Sequence, residues 1–329
     1  VLSWRRPEAT QPETGTSAMP QEPSSRRWRD WRIEARRRIA ARLVGDRAYL
    51  AGLYRKSFGR LPDLDHPSGF NEKILVKILT DRREYLTLFA DRLRVRDYVR
   101  QRMPELVLPR LYGWSERAEA LPCDLLPESF VLKANHGSGW VRMVPHKSEV
   151  GQAELVSLAR KWLASDFTIV GREWAYRDVR RAVYAEEMLR DDCGGLPPDF
   201  KLFAFDGEVR LIQVDRDRHG HHTQVLYDPQ WRPIEGVVAA AQGTPLSPPV
   251  TLARMIEAAR TLATGIDFVR VDFYEVAGRV VFGELTNYPN KGLNRFQPAS
   301  LDGLLGSWLT LAPTRPVAIV YRPEAFSGA

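Results

Sequence analysis

Short apolar runs rich in β-branched and aromatic residues recur through the middle of the chain, and they predict strands. These runs cover residues 130–134, 141–144, 183–189, 201–205, 209–214 and both halves of 268–287. Asp206-Gly207 and Ala277-Gly278 separate neighbouring runs, and such dipeptides predict tight hairpin turns. A further segment, 108–114, predicts a short strand or a loop.

Apolar residues at three-to-four spacing predict the helices. One covers 26–44, two lie within 70–103 on either side of Asp81, and the others cover 151–165 and 251–264. Because the strands follow one another as hairpins, with helices between the groups, the pattern predicts an α+β fold with antiparallel sheets.

Composition agrees with a globular protein, since 44% of the 329 residues are hydrophobic and 27% are charged. A chain of this length has room for about two domains. No apolar run approaches the length of a membrane span, and no secretory signal is visible at the start. Cys123 and Cys193 lack the spacing of a metal site, so we expect a cytoplasmic protein.

The net charge of +7 is concentrated near the start of the chain. Residues 26–42 contain eight arginines against Asp30 and Glu34, which leaves the rest nearly neutral and argues against nucleic acid as a partner. The basic helix over 26–44 has a Trp stripe that we expect to dock on its own domain. Peripheral contact with the inner membrane surface stays open as the alternative.

Three charged residues stand inside the apolar runs of the 268–287 hairpin. Arg270 and Asp272 share one face of the first strand because side chains alternate, and Glu284 lies where the return strand ends. Buried charges need partners, which are each other, a metal or a phosphate. Two carboxylates on a hairpin form a site for a hard cation such as Mg²⁺, and a structural ion cluster is the alternative.

A second group of residues has the chemistry of a phosphate site. Lys133 precedes the glycine-rich turn made by His136, Gly137, Ser138 and Gly139, where backbone N–H groups can approach phosphate oxygens. Taken alone, this segment is more often a plain turn. Lys201 opens another apolar strand and is either a second phosphate ligand or a charge that protects a sheet edge.

Two further segments leave alternatives open. Glu186 and Glu187 end a strand and are either ligands of an adenine or ribose group, or solvated strand-end residues. Residues 215–222 hold three of the six histidines, for which a polar loop is a better explanation than zinc. The arginines of that loop are candidates for holding an acidic substrate.

Taken in this order, the segments resemble the ATP-grasp superfamily, and more closely its TupA-like family, named after a teichuronopeptide-biosynthesis protein. The resemblance extends over roughly residues 60–300 and is carried by 61–63, 70–73, 91–99, 130–139, 171–174, 185–187, 199–201, 205–207, 212–215, 268–274 and 282–286. It implies ATP held between two α+β subdomains, with the glycine-rich hairpin as a lid. The expected segments are a disordered tail (1–25), a helical N-terminal region (26–110), a lid subdomain (111–192), a catalytic core (193–315) and a C-terminal tail (316–329).

The resemblance also implies roles for the candidate residues. Lys133 and Lys201 contact phosphates, Glu186 and Glu187 line the adenine pocket, and Arg270 steadies a tetrahedral intermediate. The implied metal ligands are Asp272 and Glu284, with Asn287 or Thr286 as the third, because the common Glu-x-Asn ending is displaced by one residue here.

The implied activity is an ATP- and Mg²⁺-dependent ligase that joins a carboxylate to an amine through an acylphosphate. Its substrates are small or glycan-linked, in the biosynthesis of surface polysaccharide or a related conjugate. The alternatives are a glycosyltransferase-like polysaccharide enzyme, a non-catalytic ATP-binding module and a small-molecule kinase. The oligomeric state is left open.

Overall fold

The computed structural model describes residues 44–217, 221–238 and 240–311, apart from the side chain of residue 170. The predicted tail over 1–25, nearly all of the predicted helix over 26–44 and the predicted tail over 316–329 therefore lie outside the described residues. All described residues belong to one unit, Val44–Ala329.

Eight α-helices are found among the described residues, and they surround two antiparallel sheets. In chain order they are α1 (Asp46–Phe58), α2 (Phe70–Thr80), α3 (Glu84–Ala90), α4 (Val95–Arg102), α5 (Gln152–Leu163), α6 (Phe167–Gly171), α7 (Leu252–Leu262) and α8 (Ser300–Trp308). Within the described residues, no helix has the length and apolar character that a bilayer crossing requires.

The smaller sheet has four strands in the order β1-β4-β2-β3, and every pair is antiparallel. Its strands are β1 (Leu111–Ser115), β2 (Phe130–Ala134), β3 (Val141–Val144) and β4 (Val183–Glu187). α5 packs on this sheet and buries Trp162 against a separate small core that includes Phe130 and Val183.

The larger sheet has the order β10-β7-β6-β5-β11-β12, and β8 pairs with β7. Its strands are β5 (Asp199–Phe205), β6 (Glu208–Arg216), β7 (Thr223–Tyr227), β8 (Pro233–Ile234), β10 (Ala241–Gln242), β11 (Phe268–Val276) and β12 (Arg279–Thr286). A two-stranded sheet joins β9 (Val237–Val238) to β13 (Phe296–Gln297). The predicted α+β class with antiparallel sheets is confirmed, although the short β10–β7 pair is parallel.

Both predicted hairpin turns are confirmed. Asp206 and Gly207 have φ values of 48° and 81°, and Ala277 and Gly278 have φ values of 49° and 67°. Two successive positive φ values are typical of the turn type whose twist matches that of the flanking strands.

The prediction of two helices within 70–103 was wrong, because the second region is divided into α3 and α4. The Asp91 carboxylate accepts hydrogen bonds from the backbone N–H groups of Leu93 and Arg94, at 3.1 and 2.9 Å. Asp91 also takes a bond from the Asn135 amide. An Asp that bonds its own following backbone ends one helix and begins another, and the break places Arg92 beside the small sheet.

α2 contacts both the large sheet and α8. The Phe70 ring packs edge-on against Phe268 at 5.0 Å, between the rings of β5 and β11. Lys73 Nζ donates to the carbonyls of Gly306 and Leu309, both at 2.8 Å, at the C-terminal end of α8. The large sheet is therefore held on one side by a helix whose polar residues also fix the last helix.

Candidate active site

The β11–β12 hairpin brings its charged side chains together as the alternation predicts. Arg270 pairs with Thr286 in the register, and Asp272 pairs with Glu284. Arg270 donates from Nε and Nη2 to the two carboxylate oxygens of Asp272, at 2.7 and 2.6 Å. Its Nη2 also reaches Glu284 Oε1 at 3.2 Å. One guanidinium therefore balances both carboxylates.

A β-bulge at Gly283 adjusts this arrangement. The register shifts between Asp272 and Phe273, and a Cβ on Gly283 would lie only 2.9 Å from the Asp272 carbonyl oxygen. Because β-bulges redirect side chains, the glycine lets Glu284 turn toward the cleft without losing its place opposite Asp272.

The two carboxylates differ in environment. The side chain of Asp272 is 4% exposed and that of Glu284 is 36% exposed. Burial raises the pKa of Asp272, and the carboxylates of Glu284 and Asp199 add to the rise against the effect of Arg270 and Lys201. Burial also acts to raise the pKa of Glu284, but Arg92 and Arg270 outweigh it and lower the pKa to about 2. Glu284 is thus ionised and open to the cleft at neutral pH.

The two candidates for a third metal ligand are placed differently. The Thr286 hydroxyl donates to Glu284 Oε1 at 2.9 Å and accepts from Arg270, so it already has partners. Asn287 donates from Nδ2 to the Leu86 carbonyl at 2.7 Å, while its buried Oδ1 has no hydrogen-bond partner among the described residues. Asn287 therefore has an oxygen available at the cleft wall, which suits a hard cation.

Lys133 and Glu186 face each other across neighbouring strands of the small sheet. Lys133 Nζ lies 2.5 Å from Glu186 Oε1, and Arg96 Nη1 lies 3.6 Å from Glu186 Oε2. The neighbouring carboxylate, Glu187, points elsewhere: it is exposed and accepts from the backbone N–H of Arg110. The structure thus places Glu186 in the cleft wall and Glu187 outside it.

The glycine-rich turn lies over the cleft and is tied to it by Arg92. Arg92 Nη1 donates to the Gly137 carbonyl at 2.7 Å, and its Nη2 lies 3.4 Å from Glu284 Oε2. A Cβ on Gly137 would lie 2.6 Å from the Trp140 ring, so a larger residue does not fit. Ser138 lines the cleft, and Gly139 has a φ of 76°. His136 turns away, with Nε2 3.0 Å from the Trp162 carbonyl.

Lys201 lies opposite Asp272 in the sheet register, but its ammonium group is enclosed by acids. It pairs with Asp199 and with Asp215, the latter at 2.6 Å, and its side chain is 5% exposed. Burial acts to raise the pKa of Asp215, but Lys201 and His222 outweigh it and lower the pKa to about 2. Lys201 therefore neutralises a buried acidic group next to the cleft and does not line the cleft.

These groups surround a single cleft of about 270 Å³ between the two sheets. Its wall contains seven of the candidate site residues: Lys133, Ser138, Glu186, Arg270, Glu284, Thr286 and Asn287. The other predicted residues, His136, Gly137, Gly139, Glu187, Lys201 and Asp272, lie outside the lining.

Sequence reasoning assigned no role to several residues of this wall, namely Arg92, Arg96, Glu173 and Tyr176. Lys291 also lies in this wall, in the segment 290–295, which the sequence leaves open as either a binding segment for an acidic or sugar-linked group or an ordinary surface loop. Arg92 and Arg96 belong to segment 91–99, and Glu173 belongs to segment 171–174, both of which carry the resemblance. Their presence in that ordered set was the available signal. Their chemistry depends on contacts that are remote in the chain.

Glu173 differs from the other acids of the site. It is 6% exposed, and its nearest cation is Lys291, with Nζ 4.0 Å from Oε1. Burial raises its pKa to about 7, against the opposing effects of Lys291 and Arg92. Glu173 is the kind of desolvated carboxyl group that functional sites contain.

In the part of the chain that the structure describes, no group of three or more His, Cys, Asp or Glu side chains is arranged to hold a metal ion. Within the histidine-rich loop, His222 Nε2 lies 3.0 Å from Asp215 Oδ1, and residues 218–220 are outside the described residues. The oxygen donors present at the hairpin are the carboxylates of Asp272 and Glu284, and the Asn287 amide oxygen follows directly after β12.

Comparison with known proteins gave one family match. The model of a family described as TupA-like ATP-grasp matches residues 72–310. A search of curated proteins gave no significant match.

Three of the solved structures that are similar to this chain are the following. D-alanine–D-alanine ligase from Bacillus anthracis complexed with ATP is 17% identical over 74% of this chain and 63% of that chain, with a TM-score of 0.38. The ATP-grasp ligase PsnB with precursor peptide PsnA2 and AMPPNP is 14% identical over 62% and 50%, with a TM-score of 0.34. The ADP complex of N5-carboxyaminoimidazole ribonucleotide synthetase is 13% identical over 62% and 46%, with a TM-score of 0.39. The chain spans less than two thirds of the length of each of these proteins.

Proposed function

Because the chain belongs to the TupA-like ATP-grasp family and has the ATP-grasp fold, we propose that it is an ATP- and Mg²⁺-dependent ligase that joins a carboxylate to an amine. Residues 111–192 form its lid subdomain and residues 193–315 form its catalytic core. We further propose a cytoplasmic role in making a surface polysaccharide or related conjugate, which the resemblance of the sequence to this family implies.

ATP is bound in the cleft between the sheets. The Lys133 ammonium leaves Glu186 and binds a phosphate oxygen of ATP. Glu186 can then accept a hydrogen bond from the nucleotide. Ser138 and the backbone N–H groups of the glycine-rich turn cover the phosphates, as such turns do in other anion sites. Lys201 does not contact the phosphates directly, because its ammonium is paired with Asp199 and Asp215. It affects them only through its charge.

The hairpin has the donor set for Mg²⁺. Asp272, Glu284 and Asn287 would hold the ion, and the partnerless Oδ1 of Asn287 supports this choice over Thr286. The ion would supply positive charge that neutralises the phosphate oxygens. Arg270 balances both carboxylates in the structure, and with an ion bound to them its guanidinium would be free to face the reacting groups.

The reaction needs positioning and charge more than a protein nucleophile. A substrate carboxylate oxygen attacks the γ-phosphorus of ATP. The bond between this phosphorus and the bridging oxygen of ADP breaks, and an acylphosphate forms. The amine nitrogen then bonds to the acyl carbon, and the carbon–oxygen bond to phosphate breaks. The phosphate leaves with the electron pair and takes up the amine proton. Arg270 stabilises the oxyanion of the tetrahedral intermediate, and the closed turn excludes water from the acylphosphate.

The observation that carries this proposal is the convergence of Lys133, Arg270, Glu284 and Asn287 on one cleft. The test is ADP release by the full chain with MgATP over a panel of carboxylates and amines. We expect ADP release that requires both substrates. Release with a carboxylate or hydroxyl compound alone would indicate a kinase, release of UDP from a sugar nucleotide would indicate a glycosyltransferase-like enzyme, and ATP binding without turnover would indicate a binding module.

A further inference from the structure

The Glu173 carboxylate lies in the cleft wall with few partners. It is 6% exposed, and the described residues donate no hydrogen bond to it, so the Lys291 ammonium at 4.0 Å is its nearest counter-charge. A buried carboxylate in a folded protein normally accepts several hydrogen bonds. Because Glu173 lines the cleft and accepts no hydrogen bond from the described residues, its carboxylate is available to a group that arrives with the substrate.

Lys291 is presented to the cleft by a backbone conformation that L-residues rarely adopt. Asn290 and Lys291 have φ values of 45° and 56° in succession, which is the left-handed region. The Asn290 side chain holds this turn by donating to the Leu293 carbonyl at 2.9 Å. Non-glycine residues kept in this region are concentrated at functional sites, and here the result is an ammonium group that lies 5.2 Å from the Phe167 ring centroid and is 29% exposed.

Tyr288 adds an unused donor to the same wall. It is 4% exposed and lines the cleft, and its hydroxyl has no hydrogen-bond partner among the described residues. Burial raises the pKa of this phenol, and the carboxylates of Asp81 and then Glu173 add to the rise. A buried polar atom without a partner is expensive, so the hydroxyl is a second, independent sign of a polar ligand at this place.

We propose that Glu173, Lys291 and Tyr288 form the subsite for the acceptor amine, and that this acceptor is a zwitterion that carries a carboxylate next to its amino group. Glu173 accepts from the ammonium of the acceptor, while Lys291 and the Tyr288 hydroxyl donate to its carboxylate. Each charge of the acceptor then faces an opposite charge of the protein: its ammonium faces Glu173 and its carboxylate faces Lys291. This inference rests on the proposed function and narrows the acceptor to amino acids and compounds with the same charge pattern.

The test compares each of a panel of L-amino acids with the amine that lacks its α-carboxylate, such as L-alanine with ethylamine. With the wild-type chain and MgATP, we expect the KM of the amino acid to be about tenfold lower or more than that of its matched amine. Lys291→Met should remove that advantage, Lys291→Arg should keep most of it, and Glu173→Gln should raise the KM of both compounds. Exposed residues outside the cleft give matched controls, Arg295→Met on the same loop and Asp178→Asn near Glu173.

Calorimetric binding of the same amino acids separates this inference from the proposed function, because it needs no turnover. Amino acids that bind wild-type chain, and bind Lys291→Met about tenfold more weakly, support the subsite even if no combination releases ADP. Two results would overturn the subsite. One is an equal affinity of the wild-type chain for the amino acids and their matched amines. The other is a Lys291→Met variant that is folded by circular dichroism, binds the amino acids as the wild type does and has lost only its affinity for ATP.

Discussion

At the scale of single residues, the charges of the site are satisfied by one another. Arg270 balances Asp272 and Glu284, and Lys133 balances Glu186. Each of these groups is at least partly desolvated, so removing one partner leaves an uncompensated charge. Substrate binding must therefore exchange existing ion pairs for new ones, and variants at these positions test which exchanges occur.

Glu284→Gln should reduce Mg²⁺-dependent ADP formation by about a hundredfold or more, in the range seen when one transition-state charge partner is removed. Glu284 is the cleft-facing carboxylate, and its pKa of about 2 makes it an anion at every working pH. The measurement is the ADP release rate across a Mg²⁺ titration. Glu257→Gln, an exposed glutamate on α7, is the control, and equal losses in both variants would contradict the metal assignment.

Lys133→Met should weaken ATP binding by about 1.5–3 kcal/mol, the range for hydrogen bonds to charged groups. The variant removes the phosphate contact and leaves Glu186 with Arg96 as its remaining charged partner, at 3.6 Å. Calorimetry with an unhydrolysed ATP analogue measures the change. Lys161→Met, on the exposed face of α5, is the control, and wild-type affinity in Lys133→Met would remove the lysine from the nucleotide site.

Glu173→Gln should change how stability depends on pH. Burial raises the pKa of Glu173 from 4.5 to about 7, so the folded state holds a proton that the unfolded state has lost between these values. The free energy that this proton adds to the stability of the folded state is fully present below pH 4.5 and is lost as the pH rises through 7. The wild type therefore becomes less stable toward alkaline pH.

The difference in unfolding free energy between wild type and Glu173→Gln should therefore shift by about 3 kcal/mol between pH 4 and pH 8, in favour of the variant at the higher pH. Urea denaturation at a series of pH values gives this difference directly. A constant difference over the whole range would show that Glu173 titrates at its ordinary pKa.

At the scale of elements, a buried ion network joins α2 to the start of β11. Lys77 Nζ lies 2.7 Å from Asp267 Oδ2 and 3.0 Å from Asp81 Oδ2, and Arg83 Nη2 reaches Asp267 at 2.7 Å. The Tyr85 hydroxyl donates to Asp267 at 3.0 Å. Asp267 is thus the shared acceptor that fixes the strand bearing Arg270 and Asp272.

Asp267→Ala should cost about 3–5 kcal/mol of unfolding free energy, because it leaves Lys77 and Arg83 buried with a single carboxylate. Chemical denaturation at neutral pH measures the loss. The exposed Asp192→Ala is the control and should change stability by about 0.5 kcal/mol or less. A small effect at Asp267 would mean that the network adds little beyond the packing of Phe70 on the sheet.

The sequence predicts the helices and strands of this fold better than it predicts which side chains contact one another across them. Period-two alternation and two-residue turns suffice for the β5–β6 and β11–β12 hairpins, since both signals are local. The break at Asp91 was missed because helical periodicity continues across it. The enclosure of Lys201 was also missed, since it depends on Asp215 in the next strand, and side-chain pairing between strands does not show in the spacing of one segment.

At the scale of the whole molecule, the candidate site exists only where the two sheets meet. The small sheet supplies Lys133 and Glu186, and the large sheet supplies Arg270 and Glu284. Arg92 spans them, because it contacts Gly137 on the glycine-rich turn and Glu284 on β12. The resemblance pointed to both sheets through ordered motifs, but the bridging role of Arg92 depends on where the break at Asp91 places it.

Arg92→Met should loosen the glycine-rich turn without unfolding either sheet. The variant removes a hydrogen bond of 2.7 Å to the Gly137 carbonyl and the ion pair to Glu284, so residues 135–141 lose their link to the large sheet. Hydrogen–deuterium exchange should then be faster in that segment by about five- to tenfold, the effect of losing one hydrogen bond of about 1 kcal/mol. β2 and β4 should exchange as in the wild type.

Arg100→Met is the matched control, because Arg100 is an exposed arginine on α4 whose partner is Asp97 in the same helix. MgATP should slow exchange of the turn in the wild type and in this control, and much less in Arg92→Met. Equal protection by nucleotide in all three chains would mean that the turn closes through its own contacts with the phosphates, and that Arg92 serves only to orient Glu284.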